Sequence, residues 1–152
     1  MDNKITYNEI IKANNKLIVK IDELIDFLME TVRVTKLDYK ESKKYERIEE
    51  NEKAKIFKKD CDNKEQSLKE KLAYTVKNLK EDEKSAFISS LVNYFAKVEN
   101  GYYDILAITK KENMSASSLY KCYVMLNYYK NNLQFINNLH ADFEKIAHEN
   151  LF

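Results

Sequence analysis

The side chains best able to do chemistry lie near the C-terminus of the sequence. His140 and His148 are its two histidines, and Glu144 stands midway between them, so on a helix the three would share one face. Imidazole and carboxylate groups at this spacing could bind a transition-metal ion. One helix alone offers no closed cavity and no further groups to orient the ligands, and histidines near a helix C-terminus are also favoured by the helix macrodipole. We therefore predict that the chain binds no metal and no other cofactor.

The cysteines are also isolated from other reactive groups. Cys61 and Cys122 belong to no CxxC pair, and neither has a histidine close to it in the sequence. This spacing favours neither a zinc site nor a thiol that is activated by a neighbouring base. The Glu-x-x-His motif that helical bundles use to bind iron does not occur. The sequence thus predicts no catalytic residue and no enzymatic activity.

The composition argues against most folds other than helical ones. The 152 residues include one Gly and no Pro, although average usage would give about 10 and about 8. β-Hairpins and Gly-rich phosphate-binding loops require such residues at their turns. With 44% hydrophobic and 34% charged residues, the sequence is typical of a folded helical protein. We predict a single all-α domain over residues 1–152.

The elements that position these side chains begin with a helix predicted from residue 7 to residue 35. Thr6 and Glu9 have the spacing of a capping box, in which each side chain satisfies a free backbone N–H of the other residue. Apolar side chains then recur at intervals of three, four or seven residues, as they do on a helix that faces a core. They include Ile10, Leu17, Ile21, Leu24, Leu28 and Val32.

A highly charged segment follows, with 19 charged residues among the 30 positions 36–65. It can form a helix through ion pairs four residues apart, but it can bury little apolar surface. We expect an exposed helix or a connector here. Asp62 and Glu65 have the spacing of a second capping box, so the next helix is predicted to begin at Asp62.

Three further boundaries are predicted after this segment. An apolar stripe that starts at Leu68 is interrupted by three charged residues at 80–82, which favours either one long helix or two helices separated there. Gly is the preferred residue just after a helix end, so Gly101 is predicted to end the helix and 102–112 to form a short one. Ser115 is a good N-cap for the last helix.

The last helix carries an apolar heptad that continues almost to the C-terminus. Its members are Leu119, Cys122, Leu126, Tyr129, Leu133, Ile136, His140, Phe143 and Ala147. Heptads of this kind are typical of coiled coils, and this one is longer than a short partner helix could cover, so it predicts a homodimer. The predicted fold is an elongated helical bundle of three to four long helices plus one short helix.

Residues 105–124 form a candidate nucleic-acid site. The pattern consists of Met114, Ser115, Ser118, Leu119 and Tyr120, preceded by Gly101 and Tyr102. It resembles the turn and recognition helix of TetR-type repressors. The resemblance implies a helix-turn-helix whose groove-contacting residues are Ser117, Ser118, Tyr120 and Lys121. Phosphate contacts dominate DNA affinity and few basic residues lie nearby, so a DNA-binding transcriptional regulator is our alternative hypothesis.

Six tyrosines form a second candidate site. They are Tyr102, Tyr103, Tyr120, Tyr123, Tyr128 and Tyr129. On helices these side chains spread around the circumference and cannot all face one core, so we expect some of them to be exposed. Tyrosine is enriched at binding hot spots because it combines a large rigid ring with a polar hydroxyl. Either these rings contact a partner, or the bundle buries most of them and leaves their hydroxyls at the surface.

With catalysis, metal binding and cofactor binding disfavoured, binding of another macromolecule is the remaining function. We expect a non-catalytic helical protein that binds another macromolecule, in the manner of inhibitors, immunity proteins, adaptors or mobile-element regulators. The predicted partner is a protein, with a second copy of the chain as one option. A helical enzyme that assembles its site from residues distant in sequence is the least favoured hypothesis.

Charge and composition bear on location and origin. The net charge of +1 creates no general attraction to anionic lipid, and no run of about 18 apolar residues occurs. We therefore predict a cytoplasmic protein without a membrane partner. The 24 lysines against 2 arginines indicate a low-GC genome, which predicts a bacterial or phage origin.

Overall fold

The chain folds into five α-helices over residues 5–39, 46–111 and 114–149, which are the residues that the structure, a computed structural model, describes. The helices are α1 (Tyr7–Tyr39), α2 (Glu46–Lys77), α3 (Lys84–Thr109), α4 (Ala116–Asn138) and α5 (His140–Glu149), with a 3₁₀ turn over Glu81–Glu83 before α3. The predicted all-α bundle of long helices is confirmed. The prediction for 102–112 is wrong, because residues 102–109 belong to α3 and do not form a separate short helix. Residue 112 lies outside the described residues, and the short helix is α5.

α4 is the central helix of the bundle. It packs against α1, α2 and α3, whereas α2 makes its main contact with α4 and a smaller one with α5. Contacts between the helices show that α4 runs antiparallel to α1 and α3 and parallel to α2, which gives an up-down-up-down order. These contacts are Asn14–Asn137, Asp22–Lys130, Glu65–Asn131, Cys61–Met125, Tyr94–Asn132 and Gly101–Tyr129.

Two apolar clusters form the core. The larger one joins α1, α3 and α4, and its fully buried members include Ile21, Leu28, Val98, Leu126 and Leu133. The smaller one lies where α1 begins and contains Tyr7, Ile10, Val76, Phe87, Leu91, Ile136, Leu139 and Phe143. Burial of one such aliphatic or aromatic side chain contributes about 1.5–3 kcal/mol. The apolar stripe predicted on the first helix is therefore, from Ile10 to Leu28, the face that α1 buries. The side chain of Val32 lies outside the described residues.

Two of the boundaries predicted from local capping are confirmed, those at Thr6 and Ser115. Thr6 Oγ1 accepts a hydrogen bond from the Glu9 N–H at 3.2 Å, and α1 begins at the next residue. Ser115 Oγ accepts from the Ser118 N–H at 3.1 Å at the start of α4. Each cap satisfies a first-turn N–H that has no partner within its helix. The interruption predicted at 80–82 is also present, as the turn between α2 and α3.

The prediction that a helix begins at Asp62 is wrong. α2 is continuous through this position from residue 46. Asp62 accepts a hydrogen bond from Lys58 Nζ at 2.8 Å, and Glu65 accepts one from Lys69 Nζ at 3.0 Å. Ion pairs four residues apart therefore engage both carboxylates along a helix that does not start there. The described side chains of the charged segment are mostly exposed, as expected.

The prediction that Gly101 ends a helix is also wrong, because α3 continues to Thr109. A Cβ atom placed on Gly101 would lie 2.8 Å from Cζ of Tyr129, which is well inside contact distance. Gly101 thus allows the Tyr129 ring of α4 to lie directly against the backbone of α3. A glycine inside a helix often has such a packing reason.

The predicted final helix is divided in two at Leu139. The Leu139 N–H bonds to the carbonyl groups of Phe135 and Ile136 at 3.1 and 3.2 Å, and the Tyr7 hydroxyl donates to the Ile136 carbonyl. Tyr7 thereby satisfies a carbonyl group in the last turn of α4. Heptad residues such as Leu133 lie in the chain's own core. The described heptad side chains, from Leu119 to Phe143, are buried or half-buried within the chain, which removes the basis on which a homodimer was predicted; the side chain of Ala147 lies outside the described residues.

We expect Gly101→Ala to destabilise the protein by about 1–3 kcal/mol, the usual cost of overpacking. Helix propensity alone would favour the substitution by about 1 kcal/mol, but the new methyl group must displace the Tyr129 ring. Urea unfolding followed by circular dichroism measures the change. The same substitution in a Tyr129→Ala background serves as the control and should stabilise. Stabilisation by Gly101→Ala in the unmodified chain would contradict the packing argument.

We also expect stability to fall at alkaline pH. Burial raises the pKa of Tyr7 and Tyr94 above the ordinary tyrosine value. The unfolded chain loses these protons near pH 10, whereas the folded chain keeps them, so stability that is present below about pH 10 is lost above it. The free energy of unfolding should then fall by up to about 1.4 kcal/mol per pH unit for each tyrosine. Urea titrations measure this slope. Tyr7→Phe should make it shallower, and an unchanged slope would refute the assignment to Tyr7.

Candidate interaction surface

Two of the six predicted tyrosines belong to the core. Tyr102 is only 7% exposed, and the half-buried Tyr129 lies against Gly101. Burial raises the pKa of both hydroxyl groups above the ordinary tyrosine value. These rings hold α3 to its neighbours, and a partner could reach Tyr102 only if the helices separated.

Three more of the tyrosines are half-buried on α4. Tyr123 and Tyr128 line a groove of about 190 Å³ between α2 and α4, and Tyr120 lies one turn before Tyr123. Polar groups in this groove already pair within the chain, since Asn131 donates to Glu65 at 2.9 Å. The groove is therefore part of the contact that holds α2 on α4, and its polar groups contribute to folding.

Tyr103 is the member of the six that presents its ring to solvent. It is 47% exposed and packs edge-on against Tyr102, with 5.2 Å between the ring centroids. Lys20 Nζ donates to the Tyr103 hydroxyl at 3.3 Å, and this hydrogen bond raises the pKa of Lys20. These contacts hold the ring in one orientation, so little conformational entropy would be lost if a partner covered it.

Helix α3 exposes a surface that the sequence analysis did not identify. Its members, which we call the α3 outer face, are Ser85, Ala86, Ser89, Ser90, Asn93, Ala96, Lys97, Asn100, Tyr103, Asp104, Ala107 and Ile108. Of these twelve residues only Lys97 and Asp104 are charged. The others are small, amide-bearing or apolar. The available signal was the low charge of this stretch, since residues 84–109 carry four charged residues in a chain that is 34% charged.

The exposed faces of α1 and α2 differ from this surface. Between residues 8 and 30, α1 exposes twelve residues, of which seven are charged. Between residues 52 and 77, α2 exposes seventeen residues, of which eleven are charged. Charged residues are depleted from the buried centres of protein interfaces because their desolvation is costly. The α3 outer face is therefore easier to desolvate than the outer faces of α1 and α2.

A groove of about 540 Å³ borders the N-terminal half of the α3 outer face. Its apolar lining consists of Ile5, Ile88 and Val92. The two charged residues in the lining neutralise each other, since Lys84 Nζ lies 3.1 Å from a Glu81 carboxylate oxygen. The low-charge surface thus extends sideways from α3 into this groove.

The residues that the helix-turn-helix hypothesis assigns to DNA do not form one exposed row. Ser118 is exposed, whereas the other three are half-buried: Ser117, Tyr120 and Lys121. The ammonium group of Lys121 lies 5.9 Å above the ring of Phe57 on α2, so this side of α4 is occupied by another helix. Residues 112 and 113 of the turn lie outside the described residues. The helix-turn-helix stays a prediction that this arrangement does not favour.

The groups considered for chemistry are dispersed. His140 Nε2 lies 3.1 Å from Glu144 Oε1, and the side chain of His148 lies outside the described part of the chain. Within that part, no group of three or more His, Cys, Asp or Glu residues could hold a metal ion. Cys61 and Cys122 are buried and unpaired, and burial raises the pKa of both thiols. Such thiols are protonated and poorly nucleophilic at neutral pH.

No protein-family model, curated protein sequence or solved structure matches the chain. Its function is therefore argued from the surface itself. No helix among the described residues has an apolar stretch long enough to cross a membrane.

We expect both thiols to react slowly with a disulfide reagent such as DTNB in the native protein. The reagent must wait for local opening, which should slow the reaction on the order of a hundredfold relative to the chain in urea. Absorbance at mild alkaline pH follows the reaction. A control variant combines Cys61→Ser and Cys122→Ser with Ser67→Cys, which places a thiol on the exposed side of α2, and should react rapidly. Equal rates for the native and control proteins would show that the thiols are accessible.

Proposed function

We propose that this protein is a non-catalytic binding protein that contacts a partner protein through the α3 outer face. The observation that carries the proposal is the charge distribution: ten of the twelve exposed residues on α3 are uncharged, whereas α1 and α2 expose mainly charged residues. Protein interfaces are distinguished less by overall hydrophobicity than by loss of charge at their centre. Compared with the exposed faces of α1 and α2, the α3 outer face is low in charge, with Lys97 and Asp104 as its two charged residues.

The shape and rigidity of the face also support binding. Alanine and serine side chains leave a flat helix surface that another backbone can approach closely, and they lose little side-chain entropy on burial. Tyr103 adds a rigid aromatic ring that is already held by Lys20 and Tyr102. Such rings serve as hot-spot anchors because their contact area costs few rotatable bonds.

The proposal is compatible with inhibitor, immunity, adaptor and mobile-element regulator roles, all of which act through protein contact. We place the protein in the cytoplasm, because two buried and unpaired thiols are typical of a reducing compartment. DNA binding through residues 105–124 is the less favoured proposal. Its basic residue Lys121 lies over Phe57 rather than on an open surface, and DNA affinity depends on exposed phosphate contacts.

We expect Ala96→Arg on the α3 outer face to weaken association with the partner at least about tenfold, because a bulky charge must then be desolvated. Ala73→Arg is the matched control, since Ala73 is exposed on α2 outside this face. Partners captured from host extract by the immobilised protein are identified by mass spectrometry, and their affinities are measured by calorimetry. If both variants bind as tightly as the unmodified chain, the α3 outer face is not the binding surface.

A further inference from the structure

We infer that the partner on the α3 outer face is a second copy of this chain, packed with its α3 antiparallel to the first about a two-fold axis near Asn100. The inference rests on the proposed function, because it names the occupant of the same surface. It is carried by the spacing of the exposed residues and by the positions of the two charges among them.

The α3 outer face contains a regular seam. Seven exposed residues are spaced alternately by four and three positions: Ala86, Ser90, Asn93, Lys97, Asn100, Asp104 and Ala107. This is the spacing of residues that share one face of a helix and can meet a second helix over several turns. None of these residues is needed for the core of the chain itself, where the buried positions of α3 are Phe87, Leu91, Val98, Tyr102 and Ile105. The seam is thus available to another helix.

Asn100 divides the seam into two flanks. Residues seven positions apart lie on the same side of a helix, and adjacent residues are turned from each other by about 100°. One flank of Asn100 therefore carries Lys97 and Asp104, and the other flank carries Ala96 and Tyr103. On the first flank, Lys97 lies three positions before Asn100 and Asp104 lies four positions after it. On the second flank, Ala96 lies four positions before Asn100 and Tyr103 lies three positions after it. The surface is therefore arranged symmetrically about Asn100.

Charge complementarity selects the antiparallel arrangement. A two-fold axis at Asn100 brings each flank against the same flank of the other copy and reverses the chain direction. Lys97 then lies beside Asp104 of the second copy, and the contact is made twice. Parallel packing in register would bring opposite flanks together, with Lys97 beside Ala96 and Asp104 beside Tyr103 of the second copy, and would leave both charges without an opposite charge. The two charges of the face thus pair with each other only in the antiparallel dimer.

The other flank fits the same arrangement. Tyr103 is 47% exposed, and in the antiparallel dimer it meets Ala96 of the second copy. The small alanine side chain leaves room for the ring to lie on the helix surface. A tyrosine beside a tyrosine would instead separate the two backbones. The net charge of +1 adds almost no repulsion between two whole copies.

Charge reversal tests this dimer. We expect sedimentation equilibrium to show a dimer of the unmodified chain, and Lys97→Asp and Asp104→Lys each to raise the dimer dissociation constant at least about tenfold. Each single variant places like charges together at both contacts. An equimolar mixture of the two variants should form a heterodimer, because every contact then joins opposite charges. Circular dichroism checks that the variants remain folded, as both positions are exposed.

The outcomes separate this inference from the proposed function. Weakening by each single substitution together with restoration on mixing would support the antiparallel pair, because only that arrangement sets Lys97 beside Asp104 in the unmodified dimer. A monomer at about 100 µM, or a dimer that neither substitution weakens, would overturn it. If the chain is monomeric and Ala96→Arg still abolishes binding to a different protein, the inference fails while the proposed function stands. If Ala96→Arg changes no association of any kind, both fail.

Discussion

The fold depends on the burial of α4 on nearly all sides. Among residues 117–138 the exposed ones are Ser118, Gln134 and Asn138, because α1, α2 and α3 all pack against this helix. A helix in that position must satisfy its polar side chains through its neighbours. Asn132 Nδ2 donates to the Tyr94 hydroxyl at 2.7 Å, while Asn132 Oδ1 is buried without a partner among the described residues. Lys130 donates to Asp22. These polar pairs fix which residues of α4 face which helix, while the leucine and isoleucine side chains supply most of the burial.

Local signals in the sequence predicted the structure where local physics decides it. The caps at Thr6 and Ser115 depend on backbone groups within one helical turn, so the sequence alone identified them. Gly101 misled for the opposite reason. The role of Gly101 depends on Tyr129, which is 28 positions away in the sequence and lies on another helix. Asp62 misled although its contact is local, because it pairs with Lys58 one turn earlier in the same helix, and its spacing to Glu65 fits a helix interior as well as a helix start.

Of the α3 outer face, the sequence analysis identified only Tyr103. Counting tyrosines identified Tyr103 but gave equal weight to Tyr102, although adjacent residues on a helix point in directions about 100° apart. One of the two rings faces the core, and the other faces solvent. The more informative signal was an absence of charge along α3, which becomes meaningful only when the outward positions of each helix are known. The sequence contained this signal, but assigning it to a surface required the packing.

Helix propensity gives an independent reason to assign a role to the α3 outer face. Lysine, glutamate and alanine favour an exposed helix position, whereas serine and asparagine cost a few tenths of a kcal/mol each relative to alanine. α2 uses lysine and glutamate at many of its exposed positions. α3 carries three serines and two asparagines on its outer face, namely Ser85, Ser89, Ser90, Asn93 and Asn100. Folding of the single chain would gain from the side chains used on α2. The proposed association would account for the difference, because short uncharged side chains lose little entropy when a second helix covers them and cost less to desolvate than lysine or glutamate.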